Sequence, residues 1–116
     1  MRLALTNDED KFKYMLTQEF DFSEENKENP NLKIDMRPDA NIRPHQEKAL
    51  NRMFHGGRAR SGIIVLPCGA GKTFVGIGAV CRIKKRTLIL CINSTTVKQW
   101  RSQILQFSNV GESKIF

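Results

Sequence analysis

Hydrophobic and polar residues follow two different spacings along the 116-residue chain, one typical of helices and one typical of strands. Phe12, Leu16 and Phe20 recur four residues apart, and this spacing predicts one apolar stripe on a short helix. The polar run over residues 23–31 predicts an exposed connector. Apolar residues then alternate with polar ones over residues 32–36, which is typical of a short half-buried strand.

The second part of the chain contains three segments with helical spacing. The first begins near Pro44, because proline is tolerated in the first turn of a helix, and it ends before the pair Gly56-Gly57. We expect Thr96 to cap the third. Trp100 lies on the apolar stripe of this helix, which favours a place in the core over a role in base stacking. The apolar face of this third helix comprises Val97, Trp100, Ile104 and Leu105. The predicted helices cover about residues 44–54, 72–82 and the stretch from Thr96 onward.

Two continuous apolar runs flank the second of these predicted helices. Residues 62–66 and 86–92 are rich in β-branched and aliphatic side chains, as expected of strands buried on both faces. Residues 114–116 have the pattern of the beginning of a further strand. Because buried strands alternate with helices, we predict an α/β fold in which helices cover a parallel sheet.

The net charge of +7 combines two unequal parts of the chain. Residues 1–40 carry six basic and ten acidic side chains, whereas residues 41–116 carry thirteen basic and two acidic ones. We therefore predict an acidic segment over 1–40 that precedes a basic domain over 41–116. The basic excess favours a polyanionic partner such as DNA, and a solvated basic face that keeps the protein soluble explains it equally well.

Composition excludes several classes of protein. Hydrophobic residues make up 40% of the chain, which is ordinary for a globular protein and excludes collagen-like, coiled-coil and fully disordered chains. No apolar run approaches the roughly 18 residues of a membrane helix, so we expect no membrane partner. The three cysteines show no CxxC spacing, and His45 and His55 have no partners at metal-ligand spacing. We therefore expect neither a disulfide framework nor a zinc site, and we interpret both histidines as surface residues.

The most specific motif is PCGAGKT, which occupies residues 67–73 between an apolar run and a predicted helix. It departs from the generic phosphate-loop pattern G-x-x-x-x-G-K-[ST] at the first position, where Leu66 replaces glycine. An ordinary strand-to-helix connection would not require this combination of buried strand, glycines, lysine and threonine. The motif therefore predicts nucleotide binding.

The residue types of this loop suit ATP and magnesium. Gly69 and Gly71 allow backbone N–H groups to converge on phosphate oxygens, and the beginning of the helix adds partial positive charge. Lys72 is the candidate for the β- and γ-phosphates, and the Thr73 hydroxyl is the candidate ligand of Mg²⁺. The predicted nucleotide contacts from this loop are Pro67, Cys68, Gly69, Ala70, Gly71, Lys72 and Thr73.

Two polar groups flank the loop in sequence. Gln46 can present one donor and one acceptor to the N6/N7 edge of adenine, although its sequence context alone is more typical of a surface glutamine. The stretch Asn93-Ser94-Thr95 follows the 86–92 run, where ligands bind at the carboxyl ends of parallel strands. This stretch suits contacts to a nucleic-acid backbone, and capping of the next helix by a Ser or Thr side chain explains it equally well.

Together these motifs resemble the first motor domain of superfamily-two helicases. PCGAGKT is similar to motif I, IRPHQ at 42–46 to the adenine-sensing Gln motif, and LILCINSTTVKQW at 88–100 to motif Ia. Within that superfamily the combination resembles the XPB-type helicases over roughly residues 14–110. The resemblance implies a RecA-like parallel sheet flanked by helices, the fold of P-loop NTPases.

The resemblance also implies an activity. The family comprises 3′-to-5′ DNA helicases or translocases that use ATP and Mg²⁺ in transcription initiation and nucleotide excision repair. It implies DNA and a TFIIH-like multiprotein complex as partners, and the nucleus as the location. The implied residues are Lys72 and Thr73 in catalysis, Arg43 and Gln46 at adenine, and Asn93, Ser94 and Thr95 at DNA.

The sequence lacks some of the machinery of that family. It contains no DExx box and no second RecA-like lobe, which would supply an arginine finger. We therefore expect an incomplete fragment of the first lobe that does not hydrolyse ATP by itself. Two alternatives stay open, a non-catalytic interaction fragment and a different P-loop NTPase such as a small-molecule kinase.

Overall fold

The computed structural model describes residues 22–116 of the chain. Within this part, α-helices span Pro44–Met53 (α1), Lys72–Ile83 (α2) and Ser94–Phe107 (α3), and 3₁₀ turns span His55–Gly57 and Glu112–Lys114. The helix predicted around Phe12, Leu16 and Phe20 lies outside the described residues. No helix in the described part is long and apolar enough to cross a membrane.

The helices predicted over 44–54 and 72–82 are confirmed, each to within one residue at its ends. The third helix begins earlier than predicted, because Asn93 and not Thr96 is its N-cap. The Asn93 side chain accepts a hydrogen bond from the Thr96 N–H at 2.9 Å. The prediction of Thr96 as the cap was wrong because Asn93 caps the helix three residues upstream, which makes Thr96 the third residue inside it.

Helix α2 packs against both other helices, and two of its glycines allow close contact. A Cβ atom at Gly76 would lie 2.5 Å from the Trp100 ring of α3, and one at Gly78 would lie 3.0 Å from Leu50 Cδ1 of α1. Trp100 is half-buried against the core, which confirms its predicted position. Val97 is exposed, so the predicted apolar face of α3 was wrong at this residue.

Two apolar clusters include buried residues of α2. Ile77 and Val75 are each only 1% exposed, and they belong to different clusters. Burying an aliphatic side chain of this size stabilises a fold by roughly 1.5–3 kcal/mol. The first cluster contains Ile34, Ile77 and Cys81, and the second contains Leu50, Phe54 and Val75. Helix α2 is therefore the structural centre of the described residues.

The segment that precedes α1 is attached to the end of α3. The Arg37 N–H donates to Phe107 O at 2.8 Å, and an isolated antiparallel bridge pairs Met36 with Ser108. The strand predicted over 32–36 is therefore reduced to this one bridge within the described part. These contacts tie the segment before α1 to the same core as the helices.

The predicted parallel sheet is not present among residues 22–116. The 62–66 and 86–92 runs form no strand there, and Ile63 and Ile92 are 91% and 96% exposed. Their predicted burial is wrong for this chain, because a strand requires hydrogen bonds to a neighbouring strand whereas a helix makes its own. The strand expected at 114–116 is likewise replaced in part by a 3₁₀ turn.

Candidate nucleotide-binding site

The phosphate-loop segment forms a tight turn directly before α2. The Ala70 N–H donates to Pro67 O at 3.2 Å, and the Val75 N–H donates to Gly71 O at 3.1 Å. Gly69 and Gly71 both have φ of +77°, a left-handed backbone conformation that residues with a Cβ atom rarely adopt. The backbone of this turn therefore requires the two glycines of the motif.

The amino terminus of α2 offers groups that can bind phosphate. The first N–H groups of a helix lack carbonyl partners within it, and no acidic side chain lies in the first turn of α2. Lys72 is exposed at the first helical position, and Thr73 is half-buried at the second. These groups fit a nucleotide with Mg²⁺, because N–H groups and an ammonium bind phosphate oxygens and a hydroxyl oxygen suits a hard cation.

Helix α1 contacts the phosphate loop through two adjacent side chains. Gln46 Nε2 donates to Ala70 O at 3.0 Å, and His45 Nε2 lies 2.9 Å from the same oxygen. Gln46 Oε1 accepts a hydrogen bond from the Arg43 N–H at 3.0 Å. Gln46 is only 5% exposed, so its interpretation as a surface glutamine was wrong. The structure thus brings Gln46 to the loop, and Arg43 contacts Gln46 through its backbone N–H.

His45 is the residue of this site that the sequence analysis missed. The sequence predicts a surface histidine, and His45 is indeed exposed. Its Nε2 atom nevertheless contacts Ala70 O of the loop. Its partner Ala70 is 25 residues away, and no spacing rule connects the two. The one available signal was its place in the first turn of α1, directly before Gln46.

The three cysteines differ in exposure, and Cys91 is half-buried. Cys68 is exposed in the loop beside the exposed Pro67, whereas Cys81 is buried in α2. Burial raises the pKa of the Cys81 thiol, and the nearby Asp35 carboxylate adds to the increase. Such a thiol packs as a small apolar side chain. In the part of the chain that the structure describes, no group of three or more His, Cys, Asp or Glu residues is placed to hold a metal.

The stretch predicted to contact DNA forms the amino terminus of α3. Asn93 Oδ1 accepts hydrogen bonds from the Thr96 N–H and hydroxyl groups, each at 2.9 Å, while Ser94 and Thr95 are exposed. The first turn of α3 contains no acidic side chain. Asn93 is therefore the residue that caps α3, in place of the Ser or Thr residue that the sequence suggested. Contact with DNA stays a prediction for all three residues.

A separate cavity of about 600 Å³ lies on the outer side of α1. It is lined by Pro44, Glu47, Lys48, Asn51, Arg52, His55 and Arg60. None of these residues belongs to the phosphate loop, so this cavity is distinct from the candidate nucleotide site.

The chain matches the model of a known protein family. Residues 39–115 match the model of the family described as "Type III restriction enzyme, res subunit", and this match covers most of the chain. The chain belongs to this family. Membership places the chain among P-loop NTPases of the helicase type, as the motifs indicated.

The chain is also similar to helicase subunits of a transcription and repair factor. It is 60% identical over 102 residues to "General transcription and DNA repair factor IIH helicase/translocase subunit XPB" of Schizosaccharomyces pombe. It is 57% identical over 94 residues to the corresponding XPB/SSL2 subunit of Saccharomyces cerevisiae, and 49% identical over 100 residues to XPB of Drosophila melanogaster. These results confirm the XPB-type resemblance.

The similarity covers this chain and a small part of each relative. The aligned residues amount to 88%, 81% and 86% of the chain for the fission yeast, budding yeast and fly proteins. The same residues amount to 13%, 11% and 12% of those relatives. The chain therefore spans about one eighth of the length of the relatives that it matches.

Proposed function

We propose that this chain is the ATP-binding part of the first motor domain of an XPB-type, ATP-dependent 3′-to-5′ DNA helicase or translocase. The observation that best supports the proposal is the phosphate loop before α2. Two of its glycines adopt the left-handed backbone conformation, and side chains of α1 contact its Ala70 carbonyl. The relatives' printed names, helicase/translocase subunits of a DNA repair factor, favour this function over a small-molecule kinase. The proposal places the protein in the nucleus, in a TFIIH-like complex that acts in transcription initiation and nucleotide excision repair.

In this proposal the phosphates of ATP lie in front of the amino terminus of α2. Lys72 neutralises charge on the β- and γ-phosphates, and the N–H groups of Gly71 and of the first α2 residues donate to phosphate oxygens. The Thr73 hydroxyl would hold Mg²⁺, which would supply positive charge to offset that of the phosphates. Pro67 and Cys68 border the loop on its exposed side.

Arg43 and Gln46 are the residues that we propose for adenine. Their position supports this role, because both lie at the amino terminus of α1, where Gln46 contacts the phosphate loop. Gln46 Nε2 keeps a second hydrogen, and Oε1 keeps a second lone pair. The amide can therefore contact a base while it remains bound to the loop.

We also propose that the two exposed apolar runs are strands of a RecA-like parallel sheet in a longer protein. Their exposure supports this proposal, since monomeric proteins seldom expose large apolar patches without a partner. The chain matches about one eighth of its relatives, so most of a relative-length protein is available to supply neighbouring strands. The hydrolysis machinery, a DExx box and a second lobe, would likewise lie outside this chain.

Calorimetric titration with ATP and Mg²⁺ tests the nucleotide site. Lys72→Ala should weaken binding by at least about tenfold, because it removes a charge-assisted contact to phosphate. Lys33→Ala is the matched control, since Lys33 is an exposed lysine of the segment before α1. Circular dichroism verifies that both variants keep their helices. Equal binding of ATP by Lys72→Ala and the unsubstituted chain would overturn the assignment of the loop.

The proposed DNA contact at the amino terminus of α3 is tested by a substitution that should weaken DNA binding without destabilising the helix. Ser94→Asp places a carboxylate at the positive end of α3, which stabilises the helix but repels a phosphate backbone. We expect weaker binding of single-stranded DNA in fluorescence anisotropy and a steep loss of affinity as salt increases. Ser102→Asp, an exposed site further along α3, is the control. Unchanged affinity in Ser94→Asp, or an affinity that does not depend on salt, would contradict the proposal.

A further inference from the structure

One carbonyl oxygen of the phosphate loop receives two side chains from α1. Gln46 Nε2 lies 3.0 Å from Ala70 O, and His45 Nε2 lies 2.9 Å from it. A carbonyl oxygen has two lone pairs and can only accept, so the His45 Nε2 atom must carry a hydrogen. Both the neutral Nε2–H tautomer and the imidazolium meet this requirement. Both acceptor positions of the Ala70 carbonyl are thus occupied by consecutive residues of one helical turn.

These two contacts to the Ala70 carbonyl determine the direction of the Gly71 N–H group. The peptide bond between Ala70 and Gly71 is trans, so its C=O and N–H bonds point in opposite directions. Because the Ala70 carbonyl points at α1, the Gly71 N–H points away from α1. Gly71 also has no Cβ atom, which would otherwise lie 2.3 Å from Gln46 Nε2. The close approach of α1 and the orientation of this peptide therefore depend on each other.

We propose that His45 is a positioning residue for phosphate binding. It holds the Ala70 carbonyl against α1 and thereby keeps the Gly71 N–H directed toward the nucleotide phosphates. Gln46 supplies the second hydrogen bond, so His45 removes the rotational freedom that a single bond to the carbonyl leaves. This inference rests on the proposed function, and it extends that function to a residue outside the phosphate-loop motif.

The first experiment needs no nucleotide. Hydrogen bonding to a carbonyl changes its ¹³C chemical shift, so the shift of Ala70 in isotope-labelled protein reports directly on the contact. We expect the shift to change in His45→Leu and to return in His45→Gln, whose amide nitrogen replaces Nε2 as the donor. His55→Leu, the same substitution at the exposed histidine after α1, should leave the Ala70 shift unchanged. An unchanged Ala70 shift in His45→Leu would overturn the inference.

The second experiment measures nucleotide affinity in the same variants. One lost hydrogen bond corresponds to a weakening of ATP binding by roughly fivefold in His45→Leu, with recovery to within about twofold in His45→Gln. AMP lacks the β- and γ-phosphates, so the ratio of ATP to AMP affinity should fall as well. A loss of stability without a role in positioning would leave that ratio unchanged and would contradict the inference.

The Lys72→Ala variant separates the two levels of failure. If Lys72→Ala binds ATP as well as the unsubstituted chain, the proposed function fails, whereas the ¹³C shift of Ala70 still decides whether His45 holds the loop. If Lys72→Ala loses binding and a folded His45→Leu variant does not, the function stands and the positioning role of His45 is wrong.

Discussion

Helix α2 and the two apolar runs that flank it are all hydrophobic, yet they lie in opposite environments. Ile77 of α2 is 1% exposed, whereas Ile63 and Ile92 of the runs are almost fully exposed. The helix satisfies its backbone hydrogen bonds internally and finds its packing partners on neighbouring helices of the same short chain. The runs need strands beside them, and the described residues contain none. Hydrophobicity therefore predicts burial only where the partner segment is present.

The difference has a consequence for function. The phosphate loop connects the 62–66 run to α2. Its contacts with the rest of the chain are made by the helices α1 and α2. Ala70 is held by α1, and Gly71 caps α2. A nucleotide site can therefore have its shape in this chain even though residues 22–116 do not form the sheet that we propose for a longer protein.

The sharpest test of this comparison uses the same substitution in both environments. Ile77→Ala should lower the free energy of unfolding by about 2–5 kcal/mol, because it leaves a cavity between packed helices. Ile63→Ala should change it by less than about 0.5 kcal/mol, because its side chain is in solvent. Denaturant unfolding followed by circular dichroism measures both. Similar losses in the two variants would mean that the 62–66 run is buried in solution.

The two glycines of the phosphate loop provide a second matched pair. Both have φ of +77°, but a Cβ atom at Gly71 would lie 2.3 Å from Gln46 Nε2, whereas at Gly69 nothing lies within 4 Å. Gly69→Ala should therefore cost only the strain of a left-handed residue, about 1–2 kcal/mol. Gly71→Ala should cost about 1 kcal/mol more, since the Gln46 hydrogen bond is displaced as well. Thermal unfolding compares the two, and equal costs would show that α1 does not hold the loop.

The attachment of the segment before α1 to α3 should have a smaller effect. Arg37 Nε donates to Ser108 O at 3.0 Å, and Nη2 donates to Leu105 O at 3.1 Å, at the carboxyl end of α3. Arg37→Met should lower the free energy of unfolding by about 0.5–1.5 kcal/mol. Arg86→Met is the control, because Arg86 is an exposed arginine at the start of the 86–92 run. Equal effects of the two substitutions on chemical denaturation would argue against a stabilising contact between Arg37 and the end of α3.

The smallest effect concerns pH. Because burial raises the pKa of the Cys81 thiol, the unfolded chain loses this proton at a lower pH than the folded chain does. The folded state then binds more protons, so its stability should fall as pH rises above the ordinary thiol pKa. Cys81→Ala should remove this part of the pH dependence, and Cys68→Ala, at an exposed thiol, should keep it. Identical pH profiles of unfolding for the two variants would contradict the expectation.

Local features of the fold could be predicted from the sequence, and non-local ones could not. Helical spacing and Pro44 located α1, and the motif located the beginning of α2. The predicted sheet is not present among residues 22–116. Strand propensity can be read from one segment, whereas strand pairing also depends on a second segment beside it. The N-cap of α3 was misplaced because Asn93 and Thr96 are both good capping residues, and only the geometry distinguishes them.

The same limit applies to the candidate site. The motif predicted the glycines, Lys72 and Thr73 because their roles follow from local backbone geometry and residue chemistry. The burial of Gln46 and the contact of His45 with Ala70 depend on how α1 packs beside α2. No pattern within either segment encodes that packing, so the burial of Gln46 and the contact of His45 could be learned only from the structure.

The most direct measurement is a titration of the ¹⁵N-labelled chain with ATP and Mg²⁺, followed through its backbone amide signals. We predict that the largest chemical-shift changes occur at residues 69–73, with smaller ones at 43–46, and that Lys72→Ala abolishes them. Changes centred instead on the basic cavity of α1, at Lys48, Arg52 and Arg60, would contradict a nucleotide site at the phosphate loop. Unchanged signals at residues 69–73 under saturating ATP would contradict it as well.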